Sequence, residues 1–413
     1  KSVDAVRVVF PRGKHGEAIK IGKGIVDKGY RLFFQAANTL AYSNEELEDL
    51  AAAMNEAKPE SLSVVDTFGA MFPEDLLRIS SLFVNNLDPK IRIGFHSHNN
   101  QQLSFGLSIE FVRYMMAQGR DIVVDSSLCG MGRGAGNATT ELVASFLNKK
   151  YFGNYDLDLI MDTIDLFMVP FQEKYRWGYS IPNYIAGMYC SHVNNIDYLL
   201  QNHRANAKEI RSVISSLTPG DRIRYDYGLL ESKYIENQNQ ETDDLEDFDE
   251  LTRIFSGKEV LLLAPGRSSA LNEEKIRAYC TSAHPLVVGI NAILPSYYDI
   301  YDFLFFVSKV RYTYAGSAYP EIFNSVKKII LSSVKNSKSL PSGDFGNEKI
   351  IRYERAIKRE GKYFDNAVIC MLRLLDKLKS ERIVIAGFDK FSNKYNESYA
   401  DPRLPTMHGI DDW

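Results

Sequence analysis

The chain has 413 residues, 45% of them hydrophobic, and a formal net charge of −4. This is enough apolar material for two domains with cores of their own, and the mildly acidic balance excludes nonspecific nucleic-acid binding, which needs a basic face. Four scattered cysteines (Cys129, Cys190, Cys280, Cys370) lack CxxC or ligand spacing, no apolar run reaches membrane-spanning length, and the first residues lack a signal peptide's apolar core; the expectation is a cytoplasmic protein with reduced thiols.

The first 150 residues alternate between strand and helix patterns. Asp4 to Phe10 reads as a strand, with Arg7 inside it, where an inward-facing charge needs a partner or lines a site. Pro11 to Gly16 reads as a loop at the strand end, and His15 in it is a solvated imidazole or a base. A helix over Glu17 to Lys28, a strand over Tyr30 to Gln35, a helix over Asn44 to Lys58, a strand over Leu62 to Val65 and a helix over Pro73 to Asn85 follow. Gln35 ends its strand at the same rim and is placed to contact a substrate.

The densest information lies at 91–140. The apolar run Ile91 to Phe95 ends in His96-Ser97-His98, and strand alternation puts both imidazoles on one side. They can share one divalent cation or form a hydrogen-bonded pair at a strand end. After an apolar helix around Phe105 to Met116, a strand Asp121 to Asp125 runs into Gly130-Met131-Gly132-Arg133-Gly134-Ala135-Gly136-Asn137. Alternating glycines let the backbone approach a ligand closely, and Asn137 sits near a helix N-terminus, where free amides favour a carboxylate or phosphate.

Three segments, Ser63 to Met71 (SVVDTFGAM), Gly94 to Asn100 (GFHSHNN) and Gly130 to Asn137 (GMGRGAGN), occur in this order, and over about residues 2–150 the chain resembles the metal-dependent aldolase and lyase barrels that include 4-hydroxy-2-oxovalerate aldolase and 3-hydroxy-3-methylglutaryl-CoA lyase. The resemblance implies a divalent metal, Mg²⁺ or Mn²⁺, with His96 and His98 as ligands, Asn137 as a ligand or its support, Thr67 as a substrate contact and Asp66 as a turn anchor. In that family the first strand ends in an Arg-Asp pair, the aspartate as third ligand and the arginine as enolate stabiliser. No such strand precedes residue 1, so the catalytic residues are unknown. A closed barrel of this type takes eight βα units and about 250 residues. The expectation is therefore an incomplete barrel holding strands four to eight, with the first three units absent from this chain.

From Tyr155 to about Leu217 the pattern is helical and aromatic, usually core or interface. It resembles the helical extension of the aldolase branch, with docking of a partner or second subunit as a role. The acidic run Asn237 to Glu250 reads as an exposed linker. Beyond it, strand patterns at Glu259 to Leu263, Pro285 to Asn291, Phe303 to Ser308, Lys328 to Ser332 and Arg382 to Phe388 alternate with helices, and GxGxxG is absent. Residues 258–400 resemble, more loosely, the Rossmann-like domain of bacterial sialyltransferases and related surface-polysaccharide proteins. This implies Gly266, Ser268 and Asn291 as nucleotide-facing positions, and Asp365 and Asn366 as a ligand contact or a helix cap.

The expected fold class is α/β: a partial (β/α)8 TIM barrel at 1–150 with a helical extension at 151–235, an acidic linker at 236–257 and an open α/β Rossmann-like domain at 258–413. The expected activity is a metal-dependent aldolase or lyase acting on a 2-oxo acid and an aldehyde through an enolate. The alternative is a nucleotide-sugar-dependent transferase with the barrel as scaffold; neither involves nucleic acid, and a second copy of the chain is an expected partner.

Overall fold

The computed structural model describes residues 3–203, 205–239, 242–335, 347–358, 366–389 and 399–404. The chain divides into two compact units, Lys1–Leu230 and Glu231–Trp413.

In the first unit, strands β1 (Ala5–Phe10), β2 (Arg31–Ala36), β3 (Ser61–Asp66), β4 (Arg92–Ser97) and β5 (Ile122–Val124) pair in chain order, every pair parallel. Helices α1 (His15–Val26), α2 (Asn44–Ala57), α3 (Pro73–Asn86), α4 (Ser104–Ala117) and α5 (Thr140–Tyr151) alternate with them. Local chemistry sets their starts: the Ser43 hydroxyl accepts from the Glu46 amide and the Glu46 carboxylate accepts from the Ser43 amide, a capping box that opens α2. Along α2, Leu47, Leu50, Ala51 and Met54 fall on one stripe and are fully buried. His15, read as a loop residue, begins α1 instead.

One sheet face, carrying Phe10, Leu32, Phe34, Leu62, Val64, Ile93 and Phe95, packs on the helices around Leu50, Ile79, Phe83, Phe111 and Met115 to form the core. The two-residue strand period then assigns the opposite face to Arg7, Gln35, Ser63 and His96, and the register aligns Gln35 with Ser63 and Val65 with His96. This polar face is concave. Four strand spacings separate β1 from β5, about 19 Å in a flat sheet, yet the Arg7 guanidinium grips the Asp125 carboxylate just past β5 at 2.8 and 2.9 Å. Only a sheet curled into a barrel-like arc brings these side chains together.

The stretch after α5 is helical. Ile185, Ile196, Leu199, Ile210, Val213 and Ile214 are buried, whereas Leu159, Leu166 and Phe167 are more than 60% exposed.

The second unit holds an all-parallel sheet in the order β10-β9-β8-β7-β6-β11, made of β6 (Glu259–Leu263), β7 (Leu286–Ile290), β8 (Phe303–Phe306), β9 (Lys327–Leu331), β10 (Glu348–Ile351) and β11 (Arg382–Ala386). The chain runs outward from β6 to β10 and returns to pair β11 on the other side of β6, which places the topological switch between β6 and β11. The four-residue edge strand β10 has no sequence expectation behind it; it is too short to show a period.

The acidic linker expected at 236–257 is not one. Leu245–Phe255 is an amphipathic helix with Leu251 and Phe255 buried. Three carboxylates at its start and along it are partnered: Asp244 with Arg355 at 2.6 Å, and Asp247 and Glu250 with Lys349. Fixed cations opposite this face let a negatively charged stretch pack. Asn366 caps the helix Ala367–Lys377, its side-chain oxygen accepting from the amides of Val368 and Ile369, while Asp365 lies outside the described residues. No helix among the described residues is long and apolar enough to cross a membrane.

Candidate functional site

The two expected metal-binding histidines meet at the carboxyl end of β4. Their ring centroids are 5.1 Å apart with the planes at 77°. Each Nδ1 lies 3.1 Å from an oxygen acceptor, Asp125 Oδ2 for His96 and the Asp66 carbonyl oxygen for His98. Placing the ring protons on Nδ1 satisfies both contacts and leaves both Nε2 lone pairs free, the tautomer a metal ligand needs. Burial, and then the neighbouring His96, push the His98 pKa down to about 4, so this imidazole is neutral at pH 7.

Asp125 organises the floor. Besides the Arg7 fork it accepts from Gln35 Nε2 at 2.6 Å, and its side chain is only 9% exposed. Arg7, expected to need a partner or to line a site, has its charge matched here. Gln35 thus reaches the site through Asp125. Sequence reasoning did not single out Asp125, although an aspartate closing an apolar strand at the same rim as His96 was a usable signal.

Asn137 joins the histidines from the glycine-rich turn. Its backbone forms an isolated antiparallel bridge with His98, so the two side chains share a side. Its Nδ2 donates to the Met131 carbonyl at 2.8 Å, and its Oδ1 is buried with no hydrogen-bond partner among the described residues. A buried amide oxygen without a donor is costly unless something electropositive faces it. Two imidazole nitrogens and an amide oxygen are donor types that a divalent cation accepts. Among the described residues no three His, Cys, Asp or Glu side chains are grouped to hold a metal, so the expected aspartate ligand has no counterpart there.

Asp66 anchors the turn after β3, accepting from the amides of Ala70 and Met71, and burial raises its pKa to about 6. Thr67, next in the chain, accepts from the Asn38 amide at 2.7 Å, which fixes its hydroxyl at the same rim. Asn100, unremarked in the sequence reading, is the clamp of the loops: Nδ2 donates to the Phe68 carbonyl at 3.0 Å and Oδ1 accepts from the Ala135 amide at 2.9 Å.

In the second unit, Ser268 lines a cavity of about 420 Å³ at the switch between β6 and β11, with Asn272, Ile276, Phe388 and Asp389. The Ser268 amide, expected to face a phosphate, donates to Asp389 Oδ2 at 2.6 Å, and the Ser268 hydroxyl bonds the other carboxylate oxygen. Gly266 is required by close packing, since a Cβ there would overlap the Gly387 carbonyl oxygen. Asn291 has positive φ, and its side-chain oxygen accepts from the Val307 amide; it is not among the residues lining the cavity. The three positions expected to face a nucleotide are thus engaged in protein contacts.

Residues 14–167 match the HMGL-like family model. Curated relatives include 4-hydroxy-2-oxovalerate aldolases from Thermomicrobium roseum, 35% identical over 127 residues (30% of this chain, 34% of the relative), and from Chloroflexus aurantiacus, 33% identical over 127 residues (30% and 35%). Among solved structures, one from Bacteroides vulgatus, described as the N-terminal domain of an aldolase, is 28% identical and covers 49% of this chain and 65% of its own, with a TM-score of 0.43. The chain spans about a third of the length of these curated relatives. The matched segment lies wholly within the first unit, and it is there that the chain is similar to HMGL-like aldolases and lyases.

Proposed function

We propose that the first unit carries part of the site of a divalent-metal-dependent aldolase or lyase that makes or breaks a carbon–carbon bond next to a 2-oxo acid. The observation that carries this reading is the donor set: two imidazoles whose Nδ1 atoms face oxygen acceptors, leaving each Nε2 for a ligand, beside Asn137 Oδ1, which has no hydrogen-bond partner among the described residues. The 14–167 match and the aldolase relatives support the same chemistry. Mg²⁺ or Mn²⁺ is the cation, and two nitrogen donors weight the choice towards Mn²⁺. Bound there, it would polarise the substrate carbonyl so that negative charge developing on carbon is drawn onto oxygen.

The chain's own residues have separable tasks. Asp125 and the Asp66 carbonyl hold the two rings in the ligating tautomer. Burial keeps His98 unprotonated. Thr67, whose oxygen is taken by the Asn38 amide, has its hydroxyl proton left to donate to a substrate oxygen.

Titration of Mn²⁺ into the 413-residue chain, read by electron paramagnetic resonance of the free ion, tests the proposal. His96→Ala and His98→Ala should each weaken binding at least about tenfold. Equal affinity in all three proteins would sink the metal assignment.

A further inference from the structure

A substrate carboxylate at the proposed site calls for a positive group, and among the described residues its floor offers no unpaired one. Arg7 is neutralised by its fork to Asp125, and His98 is neutral. The rim differs. Arg133, on the turn that delivers Asn137, is exposed, and its guanidinium has no hydrogen-bonded or ionic partner among the described residues.

Packing fixes where it stands. Its carbonyl accepts from the Gly136 amide at 3.0 Å, closing a turn over 133–136. The turn is wedged between two loops: at Gly134, which has φ +61°, an added Cβ would stand 2.7 Å from Asn100 Oδ1 and 3.0 Å from Val193 Cγ1. Arg133 and His192 each stand one residue from this Gly134–Val193 contact, and the same turn carries Asn137, whose backbone bridges His98. His192 has a defined tautomer. Its Nδ1 accepts from the Asn194 amide at 3.1 Å, so the proton of the neutral ring sits on Nε2, and Tyr225 flanks the ring at 4.9 Å.

We propose that Arg133 and the Nε2–H of His192 form an anion subsite at the rim of the histidine pair, and that it takes the carboxylate of the substrate. This rests on the 2-oxo acid reading of the same site, and it gives Arg133 a role in selecting charged over neutral carbonyl compounds. A guanidinium supplies two parallel donors to a carboxylate and the imidazole a third. Asn137 and Arg133 ride on one rigid turn, so the carbonyl-facing and carboxylate-facing groups keep a fixed separation.

The test uses the full chain without metal, so that it does not depend on the cation. Pyruvate and its uncharged amide, pyruvamide, are titrated while the His192 ring ¹⁵N resonances are followed by NMR. Pyruvate should shift Nε2 of His192, Arg133→Gln should weaken that binding by about tenfold or more, and Arg133→Lys should recover part of it. Pyruvamide should bind wild type and Arg133→Gln alike. Pyruvate affinity unchanged in Arg133→Gln, or no pyruvate effect on His192, overturns the subsite. A loss of Mn²⁺ binding in Arg133→Gln as well would also overturn it, because the residue would then be holding the turn rather than an anion. Failure of the metal reading shows separately, as Mn²⁺ affinity insensitive to His96→Ala and His98→Ala.

Discussion

Replacing Asp125 tests the curled sheet and the histidine tautomer together. In the native protein this carboxylate accepts from both Arg7 Nη atoms, Gln35 Nε2 and His96 Nδ1, all between 2.6 and 3.1 Å. Asp125→Ala strands all these donors. Removing one partner of a fully buried ion pair costs about 3 to 5 kcal/mol, but Arg7 is 40% exposed and can rehydrate, which reduces its share to about 1 kcal/mol. Gln35 is 4% exposed and cannot, so its unsatisfied amide adds about 1 to 2 kcal/mol. The expected loss is about 2 to 3 kcal/mol. Urea unfolding in a Trp413→Phe background would let Trp177 alone report on the first unit. A double-mutant cycle with Arg7→Met should give a coupling of about 1 kcal/mol. Because His96 loses the acceptor that fixes its ring, Mn²⁺ affinity in Asp125→Ala should also fall at least about tenfold. Stability within about 0.5 kcal/mol of wild type, together with zero coupling to Arg7, would refute the contact across the arc.

His98 and Asp66 respond to pH in opposite senses. The folded pKa of His98 is lowered from 6.5 to about 4, so its contribution is present above pH 6.5 and lost as pH falls through 4; that of Asp66 is raised from 3.8 to about 6, so its contribution is present below pH 3.8 and lost as pH rises through 6. Each displacement, at about 1.4 kcal/mol per pH unit, is worth about 3 kcal/mol. Wild-type stability of the first unit should therefore vary little between pH 4 and 6.5, and Asp66→Asn should unmask a steep acid loss in urea titrations; an equally flat profile in Asp66→Asn would refute this. Gly266→Val should lower the melting temperature of the second unit by several degrees, because the branched side chain collides with the Gly387 carbonyl; an unchanged melting transition would refute the close packing at Gly266. Phe255→Ala should cost about 3 to 5 kcal/mol in calorimetry of the second unit, since the ring is fully buried, whereas a side chain in an exposed linker would cost nothing.

The sequence by itself determined the elements and the two histidines. Strong periodicity, a capping box at Ser43 and Glu46, and proline at the start of α3 act within one turn or one strand, so the positions of β1 to β5 and α1 to α5 were legible to within a few residues. The same short range put His96 and His98 on one face, because alternation along a strand needs no knowledge of what lies opposite. Only the tertiary structure decided what those side chains meet. Arg7 and Asp125 are 118 residues apart, and their contact exists because the sheet curls. Among the described residues the Asn137 oxygen is left without a donor by the way the turn bridges to His98 and its own Nδ2 turns to Met131. The acidic helix was misread, and the partner of Ser268 not foreseen, for the same reason: Arg355, Lys349 and Asp389 lie about 100 residues or more along the chain. Local sequence fixes propensity and facing. A charge becomes core, ligand or cap only when the fold supplies its counter-charge from far along the chain.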